Sequence, residues 1–135
     1  MPRKNKPAES RKAQTLEQLA AEELVYPLEA FEFVQQGLHF TAARVHRAAK
    51  NKVRHVTGQQ LAEGLREYAF MQWGLMARCV LEKWNITTTY DFGRIVYAMV
   101  ENDLLNKTDE DSVEDFRNVY DFATLDAAYR IESKV

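Results

Sequence analysis

The stretch Tyr68–Leu81, YAFMQWGLMARCVL, constrains the fold of this chain more than any other part of it. Only Gln72 and Arg78 interrupt its apolar character. At about 100° per residue its apolar side chains cover nearly the whole circumference of a helix, and such a helix is buried on more than one side. The expectation is a central helix with other helices packed around it. The run is too short and too interrupted to span a bilayer, which needs about 20 apolar residues.

Capping signals extend this reading along the chain. Thr57 with Gln60 has the spacing of a capping box and opens the central helix, which is expected to reach Trp84 and to run about 40 Å at 1.5 Å per residue. Gly64 and Gly74 fall inside it. Each costs about 1 kcal/mol against Ala, so each points to another helix packed close. Asn85 is the expected stop. Thr15 with Gln18 opens a short first helix carrying Leu16, Leu19, Ala20 and Leu24. Pro27 suits the first turn of a second helix, running to about Ala49 with Leu28, Phe31, Val34, Leu38, Ala42 and Val45 at helical spacing. Thr88 with Asp91 opens a further helix with Phe92, Ile95, Val96, Met99 and Val100 on one face.

The C-terminal third is less determined. NKTDED at 106–111 is a polar loop. Ser112 with Asp115 caps one short last helix carrying Val113, Phe116, Val119 and Tyr120. In the alternative, Leu104–Lys107 and Arg117–Phe122 form a β-hairpin, as at the end of a winged-helix domain. The last residues, with Leu125, Tyr129 and Ile131, are expected to pack back as an arm. The fold class is therefore mainly α: a small helical domain around one long central helix, with the C-terminal β-hairpin as the open alternative. Its expected core includes Phe31, Leu38, Leu61, Leu65, Ala69, Met76, Val80, Phe92, Ile95 and Met99. On this reading Met76→Asp unfolds the domain.

At 135 residues the chain is the size of one domain, and such a domain buries roughly two thirds of its unfolded surface. Residues 1–14 mix Pro, Lys, Arg, Ser and Asn and read as a disordered basic tail; residues 15–135 form the single helical domain. The net charge of −2 hides an uneven distribution. The tail holds Arg3, Lys4, Lys6, Arg11 and Lys12 against Glu9, net +4. Residues 44–54 hold Arg44, Arg47, Lys50, Lys52 and Arg54 with no acid, net +5. Residues 101–126 carry nine acids against Lys107 and Arg117, net −7. The lone Cys79 rules out a disulfide framework within the chain and fits a reducing compartment. No apolar segment follows the basic N-terminus to make a secretory signal. The expected location is the cytoplasm.

No residue pattern identifies a reaction. His39 and His46 lie seven apart on one helix face, without the further ligands a metal site needs. His55 reads as a loop residue. Cys79 is expected to be buried and inert, since a reactive thiolate needs an electropositive, partly open setting. Arg78, expected inside a buried helix, needs a partner; Glu82 at i+4 and Glu101 are the candidates. Asp91-Phe92, Asp115-Phe116 and Asp121-Phe122 read as capping acids followed by core aromatics. There is no glycine-rich phosphate loop. No catalytic, cofactor-binding or metal residue is assigned, and no cofactor is implied. The ten basic residues above are the candidate nucleic-acid contacts, because clustered Lys and Arg can neutralise phosphates.

YPLEAFEFVQQGL, HVTGQQLAEGLREYA, TTTYDFGRIVYAMVEN and EDFRNVYDF, in this order, resemble a family of small conserved hypothetical bacterial proteins known mainly from planctomycetes and Verrucomicrobia. The resemblance covers about residues 26–122. It implies one complete small domain and brings no activity or site residue with it.

Three functional classes remain. The favoured one is a non-enzymatic binding or adaptor domain with an unidentified protein partner. The second is an RNA-, DNA- or ribosome-associated protein using the basic segments. The third is an enzyme with a cleft near Arg78, His55 and the Asp-Phe acids.

Overall fold

The computed structural model describes residues 15–23, 25–49, 55–108 and 110–125. They form five α-helices: α1 (Leu16–Glu23), α2 (Leu28–Ala49), α3 (Gly58–Trp73), α4 (Ala77–Lys83) and α5 (Thr89–Glu101). The mainly helical fold class is as expected. The arm beyond Leu125 and the tail before Thr15 lie outside the described residues.

The helix starts follow the capping signals. Gln18 N–H donates to Thr15 Oγ1 (3.1 Å). At α3, Gln60 N–H donates to Thr57 Oγ1 (3.1 Å) and Thr57 N–H donates to the Gln60 side chain (2.9 Å). Each bond satisfies an amide that the helix itself leaves unpaired. Asn85 ends α4 at φ 67°, and Ile86 N–H closes back on Leu81 O at 3.0 Å, a left-handed stop that Asn tolerates.

The expected continuous helix over 57–84 is broken. Gly74 takes φ 57°, ψ −133°, a backbone region open to glycine and costly for other residues, and Gly74–Met76 form a single 3₁₀ turn. The two tryptophans show what the break achieves. Trp73 and Trp84 would share a face of an unbroken helix but lie about 16 Å apart along it. Their ring centroids are instead 5.4 Å apart, edge to face. Both rings sit against Phe33, at 5.3 and 6.0 Å, with Tyr68 and Phe92 at 5.6 and 6.5 Å. The bend folds α4 back over the aromatic cluster and leaves its own outer side bare. Gly74 therefore serves the turn; a Cβ there would meet nothing within 4 Å. Met76, expected in the core, is 59% exposed. Aspartate at 76 would stay in solvent, so Met76→Asp is not expected to unfold the domain. Leu38 and Val80 are half-buried. Phe31, Leu61, Leu65, Ala69, Phe92, Ile95 and Met99 are core residues as expected.

Gly64 does mark a close approach. A Cβ there would overlap the Thr41 hydroxyl and come within 2.8 Å of Thr41 Cβ. Across the same crossing, a Cβ on Gly37 would overlap the Leu65 side chain. Each helix thus offers a glycine to a side chain of the other. Thr41 is held in place by donating to Gly37 O at 2.8 Å.

The described residues of the segment 104–125 form neither a hairpin nor a full helix. No strand occurs among the described residues. Two 3₁₀ turns, Val113–Phe116 and Phe122–Thr124, sit in a strap laid across α5 and α3. Phe116 wedges between Gly58 and Gly93; a Cβ on Gly93 would come within 2.8 Å of Phe116 Cβ. Thr89 Oγ1 donates to Phe116 O (2.6 Å) and accepts from Val119 N–H (3.1 Å). Tyr120 donates to Ala62 O at 2.8 Å. The Arg66 guanidinium lies 4.8 Å from the Tyr120 ring centroid and donates to Leu125 O and Thr124 O at 2.9 and 2.7 Å. These side-chain bonds replace the ladder a hairpin would have made.

Asp91 anchors α5. Its Oδ2 accepts from the Thr87 and Thr88 amides at 2.9 and 3.1 Å, and its Oδ1 accepts from Tyr26 Oη at 2.5 Å. Arg94 lies 3.8 Å away. Burial pushes the carboxyl up, but the hydrogen bonds from Tyr26, Thr87 and Thr88 outweigh it and hold the group below its usual value. The Tyr26 hydroxyl is pushed up by burial and by Asp91.

Gly64→Ala will destabilise the domain by about 1–3 kcal/mol through overpacking, against a gain of about 1 kcal/mol from helix propensity alone; urea unfolding reads the sign. A carboxyl depressed in the folded state adds stability above its unfolded pKa and loses it as pH falls through the folded one. Tyr26→Phe will therefore flatten the acid side of the stability–pH curve, and an unchanged acid slope would remove the Tyr26 bond from the groups that hold Asp91 down.

Candidate functional site

Two surface features emerge. The first is a cleft of about 310 Å³ between α2, the start of α3, α5 and the 105–116 strap. It lies beside the glycine crossing of α2 and α3, on the side toward the α3 N-terminus. Its walls are largely aliphatic: Leu38 and Ala42 from α2, Val56 and Leu61 around the start of α3, Val96 and Val100 from α5, and Leu105. Polar groups line it as well: His39 and Tyr97 from α2 and α5, and His55, Lys107, Asp111, Ser112 and Asp115 on the side of the strap.

His55 reaches across this side, its Nε2 2.5 Å from Asp111 Oδ2. The same oxygen accepts from Thr108 N–H (2.8 Å) and Thr108 Oγ1 (3.1 Å). Burial pushes the Asp111 carboxyl up, and the bonds from Thr108 and the His55 pair bring it below its usual value. Asp115 Oδ2 accepts from Ser112 N–H at 3.1 Å. The Tyr97 hydroxyl is pushed up by burial and then by the charges of Asp111 and Asp115. His55 links the end of the basic 44–54 segment to the acidic 101–126 segment within one molecule.

The second feature is an apolar knuckle on the outer side of the α3–α4 bend. Met71, Leu75 and Met76 are 66%, 57% and 59% exposed. Cys79, expected to be buried, is exposed on α4. The physical reason is the break at Gly74: a residue run apolar all round needs cover on every side only if the helix is straight and central.

The structure places the other candidates as follows. Arg44 pairs with Glu67 on α3 and lies 5.3 Å from the Phe40 ring centroid. Arg47 is exposed in the last turn of α2. Lys50, Lys52, Arg54 and the five tail residues Arg3, Lys4, Lys6, Arg11 and Lys12 lie outside the described residues. Arg78 has its expected i+4 partner, Glu82, at 2.9 Å, but the pair is on the surface and does not line the cleft. His39 and His46 are both exposed, and no group of metal-ligating side chains occurs among the described residues. Phe92, Phe116 and Phe122 are all buried behind their capping acids, as expected. Among the described residues no helix is long and apolar enough to cross a membrane.

Sequence reasoning missed both surface features. The cleft has no local signature, because its lining comes from three helices and a strap. The knuckle had one available signal: a Trp-Gly pair at 73–74 in the middle of an apolar run, which marks a turn as readily as close packing.

The fold and its two surface features define a small, mainly helical domain with a cleft and an exposed apolar edge. No family model, curated protein or solved structure matches the chain.

Proposed function

We propose that this chain is a non-enzymatic binding or adaptor domain that engages a protein partner through the Met71–Met76 knuckle. The observation that supports it is the exposure of Met71, Leu75 and Met76 around one bend. Large apolar side chains grouped on a surface mark contact sites, and methionine adapts its shape to a partner surface better than branched residues do. The bend itself is held by a backbone conformation that glycine alone takes cheaply. The fold thus spends a special residue to present apolar groups outward. The partner that fits is a protein with a concave apolar surface, able to take a convex edge of this size. A reducing compartment such as the cytoplasm suits the exposed single thiol beside it. The nucleic-acid reading draws less support, because Arg44 is engaged by Glu67.

Cys79 gives direct access to this surface. A thiol-reactive photo-crosslinker on Cys79 is expected to capture one defined protein, and Leu75→Asp with Met76→Asp is expected to abolish that capture. The melting temperature of the double variant should stay within a few degrees of the parent, since exposed substitutions change stability by about 0.5 kcal/mol or less. A cross-link to a second copy of the chain would replace the adaptor reading with self-association. Capture that survives both substitutions would overturn the reading.

A further inference from the structure

A different observation, the way one wall of the cleft is attached, leads away from the knuckle. We propose that the loop whose described residues are 106–108 and 110–112 is a movable wall of the cleft, latched shut by the His55–Asp111 pair and loosened when His55 loses its proton.

The hydrogen bonds of this loop are almost all its own. Thr108 N–H and Oγ1 donate to Asp111 Oδ2, and Asp111 N–H donates back to Thr108 O at 3.1 Å. Lys107 Nζ donates to Thr108 O at 3.1 Å. Ser112 N–H donates to Asp115 Oδ2, still within the strap. A turn bonded in this way keeps its shape without help from the rest of the molecule. Among the described residues, its one hydrogen bond or ion pair to anything outside the strap is His55 Nε2 to Asp111 Oδ2, at 2.5 Å.

The two ends of the loop are fixed. Leu104 N–H donates to Met99 O at 2.8 Å, which ties the entry to the end of α5. Beyond the exit, Phe116 wedges between Gly58 and Gly93. Between these anchors none of the described loop residues is buried, and Asn106, Lys107, Asp111 and Ser112 face the cleft. A segment with few buried apolar contacts opens more readily than a packed helix.

Charge sets the direction of the response. Burial pushes the Asp111 carboxyl up, and the Thr108 bonds and the His55 pair bring it below its usual value, so it stays ionised through neutral pH. Imidazole is the side chain that changes charge between about pH 5 and 8. With His55 charged, its bond to the carboxylate is charge-assisted, and such bonds are roughly twice as strong as neutral ones. With His55 neutral, only the weaker bond remains. Rising pH therefore loosens the latch, and the proton goes to water. The other titratable groups of the cleft are His39 on α2, Tyr97 on α5, Lys107 on the loop and Asp115 after it. None of them bonds to His55, so none takes over when its charge is lost.

The test is ¹⁵N relaxation of the loop amides in the full chain, with the His55 ring protons followed in the same samples from pH 5.5 to 8. Order parameters over 106–112 are expected near the ~0.85 of rigid backbone at pH 5.5, and to fall toward about 0.6 at pH 8. The fall should trace the His55 titration. At pH 5.5, added salt should lower the loop's order parameters and leave those of α5 unchanged, since screening acts on charge. His55→Gln should give the loop at pH 5.5 the mobility that the parent shows at pH 8, with no further response to pH. His39→Gln should keep the response of the parent. Loop order that stays constant while His55 titrates would overturn the proposal. So would a His55 that keeps one charge state across this range, or a pH response that survives His55→Gln.

Discussion

The crossing of α2 and α3 is the constraint on which the rest of the structure depends. Gly37 lies under Leu65, and Gly64 lies under Thr41. Each glycine costs its helix about 1 kcal/mol of propensity, and in return the two axes approach more closely than side chains at those positions would allow. The crossing divides the molecule. On one side, the N-terminal half of α2 meets the C-terminal half of α3, and Phe33 gathers Tyr68, Trp73, Trp84 and Phe92 around it. On the other, Leu38, Ala42 and Leu61 line the cleft together with residues of α5 and the strap.

The elements around this pair bury Phe92, Ile95, Met99, Phe116, Phe122 and Leu125 in the core, and polar side chains at backbone ends fix how they sit there. Asp91 ties the start of α5 to Tyr26 in the α1–α2 connection. Thr89 and Arg66 fix the strap by taking its backbone groups as partners. Buried backbone groups require partners of some kind, and a strap that forms no sheet must find them on side chains. This explains how 104–125 can be ordered with only two short 3₁₀ turns, and why strand-like residues such as Val119 and Tyr120 form no hairpin.

Much of the helical framework was legible because its signals are local. Thr15, Thr57, Thr88, Ser112 and Asn85 act over three or four residues, and each does what its spacing implies. The Asp-Phe pairs were legible for the same reason. The errors came where a local pattern has two physical readings. Gly64 and Gly74 look alike in a helical run, yet one admits Thr41 and the other admits a turn. The apolar run 68–81 implied full burial only on the assumption of a straight helix; once bent, it exposes Met71, Leu75, Met76 and Cys79. The cleft was illegible because the residues that make it come from α2, α3, α5 and the strap, and only the helix crossing brings them together. The basic segments were the clearest charge feature of the sequence; of the two members the structure describes, Arg44 pairs with Glu67 at the surface and Arg47 is exposed.

The two surfaces differ in position and in kind, and α3 connects them. The cleft takes Thr57, Gly58 and Leu61 from the start of that helix; the knuckle begins at Met71, near its end. At 1.5 Å per residue the two are about 15–20 Å apart along one rigid element. Substitutions at that separation, without shared partners, act independently. Between them α3 is held closely at two points, by α2 at the Gly37–Gly64 crossing and by the strap at Gly58. The aromatic cluster lies directly on the far side, with Trp73 one residue from the bend.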